Sequence, residues 1–227
     1  MKIDQYYESV RSDLLSLLPA EACAVLDVGC GSGATAQKLL EMGIKEIVGI
    51  EVNPAMASKA GKYCRNVMVG DLETMPLDLP NSHFDAVIMA DVLEHLREPY
   101  KNVKRILPHL KTNGSVLVSI PNVTHYHVLK MLCSGRWEYA ERGIMDETHL
   151  RFFSRKTFVK QMEKAGLQLV ELKRNYRLLE HDMMFGAGFA RLLGRIVPNE
   201  LLTFQYLMRF KMDPIGEILE KYARAES

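Results

Sequence analysis

The chain has 227 residues, 48% hydrophobic and 25% charged, a balance that suits a globular protein with one sizeable core and argues against disordered, collagen-like and membrane-spanning classes. Its 29 basic and 28 acidic residues leave a formal charge of +1, so no long-range field draws in nucleic acid or anionic lipid, and no nucleic-acid partner is expected. Cys23, Cys30, Cys64 and Cys133 are dispersed; they make neither a disulfide framework nor a dithiol motif, and the histidines and acids show no compact metal-ligand spacing, so no metal is expected.

The first residues, Met1-Lys2-Ile3-Asp4, lack the basic flank and apolar stretch of a signal peptide, which leads to the expectation of a reduced, cytoplasmic protein. Tyr6, Tyr7, Val10, Leu14, Leu17 and Leu18 recur at helical spacing and predict an amphipathic helix over 4–18, stopped by Pro19. Residues 24–28 are a short apolar run ending in glycines, as in a strand buried on both faces of a parallel sheet. A helix over 34–42 ends at Gly43, a strand follows over 46–51, and Asn53-Pro54 reads as an N-cap with proline in the first helical turn. Further strands are predicted over 66–69 and 84–90, a helix from Asp91 to before Pro99, and another to about Leu110. Asn113-Gly114 reads as a turn before a strand over 115–120.

Strand and helix alternating at this pitch imply βαβ units, hence an α/β fold with a mostly parallel sheet and helices on both faces. The pattern breaks at Pro121: residues 121–153 have no clean period and hold His125, His127, His149 and the only tryptophan, Trp137. Order returns with a helix over 154–165 capped by Gly166 and a strand over 167–172. A second irregular stretch over 173–202, with a short helix near 186–195, leads to an alternating run over 203–211 read as a last strand. We read 1–227 as a single domain in which 121–153 and 173–202 are insertions on the substrate side, since long irregular insertions in compact α/β domains are usually functional.

Asp27-Val28-Gly29-Cys30-Gly31-Ser32-Gly33-Ala34 is the most informative segment. Glycines between a strand and a helix allow a tight turn and let a ligand lie against bare peptide. Gly29, Gly31 and Ala34 fit the dinucleotide fingerprint, and Glu51 stands 20 residues after Gly31, a suitable place for a carboxylate that holds ribose. Asp27 lies inside the strand, where a charge is costly unless it braces the loop or takes hydrogen bonds from a ligand. Asp71, followed by Leu72, comes after the third strand on the same sheet edge and could accept from an adenine amino group.

This ordered set, with Ala90-Asp91-Val92-Leu93-Glu94-His95-Leu96 after the fourth strand, resembles class I S-adenosylmethionine-dependent methyltransferases over about residues 20–172. The resemblance implies a Rossmann-like seven-stranded sheet whose last strand is antiparallel. It also implies S-adenosylmethionine as cofactor, Glu51 on the ribose, Asp71 and Leu72 on the adenine, Gly29 and Gly31 on the methionine part, and Asp91 near the methionine end. Residues 119–125 and 146–153 resemble methyltransferases of bacterial sugar and glycan pathways, with ubiquinone-pathway and other small-molecule O-methyltransferases as related sequences. They imply a small-molecule acceptor such as a nucleotide-linked sugar. Methylating a hydroxyl benefits from a base, and His149 is the candidate, with His125 competing and Arg151 an anion anchor or a brace. Each histidine also has a structural reading, His95 as a helix cap above all. Trp137 and Tyr139 either line an acceptor pocket or simply pack. Phe185, Phe189, Leu192 and Leu193 beside Arg191 and Arg195 read as a flap or homodimer contact, or as a membrane-surface helix. Two other functions stay open: an NAD-dependent oxidoreductase, which shares the glycine loop and Glu51 but gives no reason for Asp27 with Asp71, and a non-catalytic regulatory module.

Overall fold

The computed structural model describes residues 11–177 and 198–212. The elements are α1 (Ser12–Leu15), β1 (Ala24–Val28), α2 (Ala34–Glu41), β2 (Glu46–Glu51), α3 (Pro54–Ala60), β3 (Asn66–Val69), β4 (Phe84–Ala90), α4 (Pro99–Ile106), β5 (Leu110–Pro121), α5 (Tyr126–Cys133), α6 (Arg155–Lys164), β6 (Leu167–Tyr176), α7 (Asn199–Leu202) and β7 (Thr203–Met212). All seven strands form one sheet in the order β3-β2-β1-β4-β5-β7-β6. The first five pair in parallel, and β7 runs antiparallel between β5 and β6. The expected α/β sheet with an antiparallel last strand is therefore the observed one.

Alternation along the strands feeds two cores. Leu26 and Val28 of β1 point to the face covered by Val103 and Ile106 of α4 and Phe158 and Met162 of α6. Val25 points to the other face, against Leu14 of α1, Leu39 of α2 and Ala60 of α3. Each of the larger of these side chains, the alanine aside, contributes about 1.5–3 kcal/mol, and β1, buried at every position, contributes to both. Helix α3 starts as its sequence requires: Asn53 Oδ1 accepts from Ala55 N at 2.9 Å and Met56 N at 3.3 Å, with Pro54 in the first turn.

Several expectations need correction. The helix expected from Asp91 is a single 3-10 turn, Leu93–His95; Asp91 itself takes a left-handed φ of 53°, outside the right-handed helical region, so it cannot be the helix's first residue. Strand β5 begins at Leu110, not after a turn at Asn113-Gly114. Its register jumps from Phe84↔Leu110 to Ala86↔Ser115, so residues 111–114 bulge out, and their turn-like composition marks that bulge. Helix α5 lies inside the stretch read as irregular; it buries only Val128 and Met131, too little for a legible stripe. Strand β6 runs on to Tyr176 because it pairs with β7 throughout. Of the N-terminal helix, only its later part falls within the described residues, as α1; the helix expected near 186–195 lies outside them.

Candidate active site at the strand ends

Strand order reverses between β1 and β4, and ligands of such sheets bind beyond the carboxyl ends at that point. There the β1–α2 loop, the ends of β2, β3 and β4, and the start of the 121–153 segment come together.

The loop is held from β2. Gly29 N and Cys30 N donate to Ile50 O at 2.8 and 3.1 Å, and Gly31 N donates to Glu51 Oε2 at 2.9 Å. The other oxygen of Glu51 accepts from Asn53 N at 2.8 Å. Gly29 takes a φ of 70° and its missing Cβ would stand 2.6 Å from Val92 Cγ2, so the loop lies directly on the end of β4 and admits no side chain there.

Glu51, not Asp27, thus braces the loop. Asp27 is 2% exposed, its Oδ2 is buried with no partner, and burial together with the Glu51 charge pushes its pKa up to about 7. An orphaned carboxylate oxygen beneath a glycine loop fits a polar or cationic ligand lying over it. Asp71 is exposed. It caps a turn, Oδ1 accepting from Glu73 N at 2.8 Å, and Gly70 N ties the end of β3 to Glu51 O at 3.0 Å. Leu72 is buried in the core and its carbonyl accepts from Arg105. Beside Glu51, Val52 is 63% exposed, an apolar surface at the crevice that sequence reading passed over.

Asp91 is the hub of a network. Its N–H donates to Ser119 Oγ at 3.0 Å and Oδ1 accepts from the same hydroxyl at 2.9 Å. Gln205 and Arg11 also donate to its carboxylate. Arg11 in turn donates to Gln205 Oε1 at 2.6 Å and to Asp13 at 3.2 Å. The network joins the chain before α1 to β4, β5 and β7. Arg11 carried no motif in the sequence; only the fold brings it here.

The 146–151 segment hangs on the turn after β4. Leu150 N and Arg151 N donate to Glu94 O at 2.8 and 3.0 Å, and Asp146 Oδ1 accepts from Thr148 N and Oγ1 at 2.8 and 2.6 Å. His149 is buried and its Nδ1 lies 3.1 Å from Ile144 O. A carbonyl only accepts, so Nδ1 carries the proton and Nε2 keeps the lone pair. Burial holds its pKa below the ordinary imidazole value, with the Ile144 carbonyl opposing, which keeps the ring neutral. The His95 ring stands 4.8 Å from it at 70°; His95 belongs to the 3-10 turn and caps no helix.

His125 is placed differently. It is the N-cap of α5, with Nδ1 accepting from His127 N at 3.3 Å and Nε2 bonded to Arg177 O at 2.8 Å. Both ring nitrogens are engaged with backbone, which leaves neither for a substrate proton. Arg151 donates to the carbonyls of Leu150 and Arg97 and so braces the segment. Trp137 and Tyr139, both exposed, pack on Phe152 at 5.2 and 6.4 Å, and Phe152 lies 6.4 Å from His149. They form an aromatic wall beside the histidines.

Known proteins carry the same frame. A family model described as a methyltransferase domain matches residues 3–172. The mitochondrial ubiquinone biosynthesis O-methyltransferase of Dictyostelium discoideum is 27% identical over 184 residues, covering 74% of this chain and 56% of that protein. A tRNA U34 carboxymethyltransferase of Shewanella baltica is 33% identical over 109 residues, 44% of this chain and 32% of that one. The chain thus spans about half, or less, of the length of these curated relatives. A crystal structure of a SAM-dependent methyltransferase from Archaeoglobus fulgidus superposes with a TM-score of 0.62 at 19% identity, over 92% of this chain and 98% of that one. Among the described residues, no helix is long and apolar enough to cross a membrane.

Proposed function

The chain belongs to the methyltransferase-domain family, and we propose that it transfers a methyl group from S-adenosylmethionine to a hydroxyl oxygen of a small molecule. One observation carries the reading. A buried carboxylate, Glu51, clamps the glycine loop above a second buried carboxylate, Asp27, whose Oδ2 has no partner.

When bound, the donor supplies an electrophilic methyl carbon on a positively charged sulfur; the oxygen–carbon bond forms as the carbon–sulfur bond breaks, and the electron pair stays on sulfur. The protein holds and aligns. Each Glu51 oxygen accepts one N–H and keeps a lone pair for the ribose hydroxyls. Asp71 and Leu72 stand at the adenine end, where Val52 offers an apolar wall. Gly29 and Gly31 expose bare backbone to the methionine part, with Asp91 and Arg11 at its charged end. A cationic ligand over Asp27 favours the ionised carboxylate and offsets the cost of its burial.

On the acceptor side, loss of the hydroxyl proton depends on His149, whose Nε2 lone pair is held in place by the Nδ1 bond to Ile144 O. Oxygen as the acceptor atom is supported by this neutral histidine and by the O-methyltransferase relative. The narrower reading of a nucleotide-linked sugar rests on the sequence resemblance alone. An oxidoreductase using NAD would share the glycine loop but leave Asp27 without a role.

Calorimetry separates these readings. S-adenosylhomocysteine binds and NAD does not; tight NAD binding with no response to the nucleoside overturns the proposal. Transfer of labelled methyl to hydroxylated small molecules then tests the acceptor. Transfer only to tRNA would overturn that part and leave the donor site standing.

A further inference from the structure

We propose that the groove between α4 and α6 binds the oligophosphate part of a small ligand, and that this binding reaches the adenine end of the donor crevice through Arg105. The groove holds about 560 Å³, a size typical of small-molecule sites. Lys101, Lys104 and Arg105 line it from α4 and Gln161 and Lys164 from α6, and no acid among the described residues lines it. The two helices together carry seven basic residues and one acid, in a chain whose formal charge is only +1. Lys101, Lys104 and Lys164 are exposed and take part in none of the ion pairs among the described residues.

Helix dipoles account for part of this pattern. Lys104 and Lys164 lie in the last turns of their helices, where cations are favoured. Lys101 lies in the first turn of α4, two residues after Pro99, where the dipole opposes a cation. An anion in the groove explains all three. Lysine ammoniums act on phosphate as point charges, and a single phosphate carries a charge of at most about −2. Three lysines and an arginine on two walls therefore suit two or more linked phosphates.

Arg105 supplies the directional contact. Its Nη1 donates to Leu72 O and, at 3.0 Å, to Asn102 Oδ1, and its Nη2 donates to Met75 O at 2.5 Å. Of the five N–H groups of a guanidinium, these bonds leave Nε–H and one on Nη2, the neighbouring pair that takes two phosphate oxygens side-on. The Glu73 carboxylate, which shares Asn102 with Arg105, accepts from Glu98 N at 2.8 Å and Asn102 Nδ2 at 3.2 Å. The guanidinium thus joins the groove to the carbonyls of Leu72 and Met75, in the loop that follows Asp71. Pinning its remaining edge fixes that loop, so an oligophosphate in the groove tightens donor binding, and by linkage the donor tightens the oligophosphate equally. This link rests on the methyl-transfer reading of the crevice.

Calorimetric titration of the whole protein with sodium tripolyphosphate, in phosphate-free buffer, tests the site. It gives one site per chain, weakened about tenfold between about 50 mM and about 300 mM salt. Inorganic phosphate binds about tenfold more weakly than tripolyphosphate, and equal affinity overturns the oligophosphate assignment. Lys101→Ala and Lys164→Ala, on opposite walls, each weaken tripolyphosphate about fivefold, whereas Lys45→Ala, exposed and outside the groove, leaves it unchanged. Saturating tripolyphosphate lowers the Kd of S-adenosylhomocysteine about fivefold. Arg105→Lys, which keeps the charge but not the fork, loses that gain while its circular dichroism stays that of the wild type. No binding, or equal losses in Lys45→Ala and Lys101→Ala, overturns the site. So does a single-stranded RNA that binds and is not displaced by tripolyphosphate, which would mark an extended nucleic-acid surface. Weaker S-adenosylhomocysteine binding beside tripolyphosphate would put the anion in the donor crevice and overturn the site, and unchanged affinity overturns the link. S-adenosylhomocysteine that binds under neither condition indicts the methyl-transfer reading, while the tripolyphosphate titration alone still reads the groove.

Discussion

Asp27 shows how a residue can be legible in type while its role stays open between bracing the loop and receiving a ligand. Its place inside an apolar run marks it as a costly charge, and one of its buried oxygens has no partner within the protein. Bracing of the loop falls instead to Glu51, because the β1–β2 register of Val28↔Ile50 decides which acid reaches the loop, and spacing along the chain does not encode register. Arg11 is the opposite case. It meets Asp91 across 80 positions, and nothing local marks it. The raised Asp27 pKa of about 7 has a thermodynamic consequence. Between the ordinary value of 3.8 and about 7, the folded chain holds a proton that the unfolded chain has released. Stability therefore falls as pH rises across that window, by at most about 1.4 kcal/mol per pH unit, and the loss is complete above it. Asp27→Asn removes this term: its Tm exceeds that of the wild type at pH 8, the two converge near pH 4, and S-adenosylhomocysteine binds more weakly. Thermal scans across this range check it; equal Tm differences at pH 4 and pH 8 would contradict it.

At the scale of elements, what the sequence shows is periodicity and what it hides is whatever interrupts it. The bounds of β1, β2 and β4 were readable because parallel strands buried on both faces are near-continuous apolar runs between glycines, prolines and asparagines, whereas β3, at the sheet edge, is only partly buried and was legible from Val67-Met68-Val69 before Gly70. The turn after β4 was not: Leu93, Glu94 and His95 look helical, but Asp91 at a φ of 53° ends the strand abruptly and leaves only a 3-10 turn. That same sharp end puts Val92 against the glycine loop, where a Cβ on Gly29 would meet it at 2.6 Å. Gly29→Ala meets both the contact and a left-handed φ of 70°, together costing about 1–3 kcal/mol. The expected result is a Tm lower by about 5 °C and S-adenosylhomocysteine affinity reduced about tenfold. Val92→Ala in the same chain relieves the contact but not the dihedral, and so recovers part of the Tm. Differential scanning fluorimetry and calorimetry read both; a Gly29→Ala protein indistinguishable from wild type would show that the loop does not lie on β4 as described.

For the molecule as a whole, the alternation of strands and helices predicts a mostly parallel sheet, and the fold bears this out. The insertion of β7 between β5 and β6 is invisible to local pattern, since an alternating run states that a strand exists but not which neighbours it takes. That insertion matters to the candidate site: it brings Gln205 of β7 onto Asp91 and places Phe204 against His125 at 5.9 Å, so residues far apart in the chain meet there. His125 and His149 were named from sequence as candidate bases, but their separation into one with both nitrogens engaged with backbone and one tethered through Nδ1 is a tertiary fact. The central claim is that the ends of β1, β2 and β3 hold the adenosyl group. A crystal structure with S-adenosylhomocysteine tests it most directly. The account predicts both ribose hydroxyls within hydrogen-bond distance of Glu51, the adenine beside Val52 and Asp71, and the sulfur toward the turn bearing Glu94. A nucleoside bound elsewhere, or none bound at saturating concentration, would contradict it.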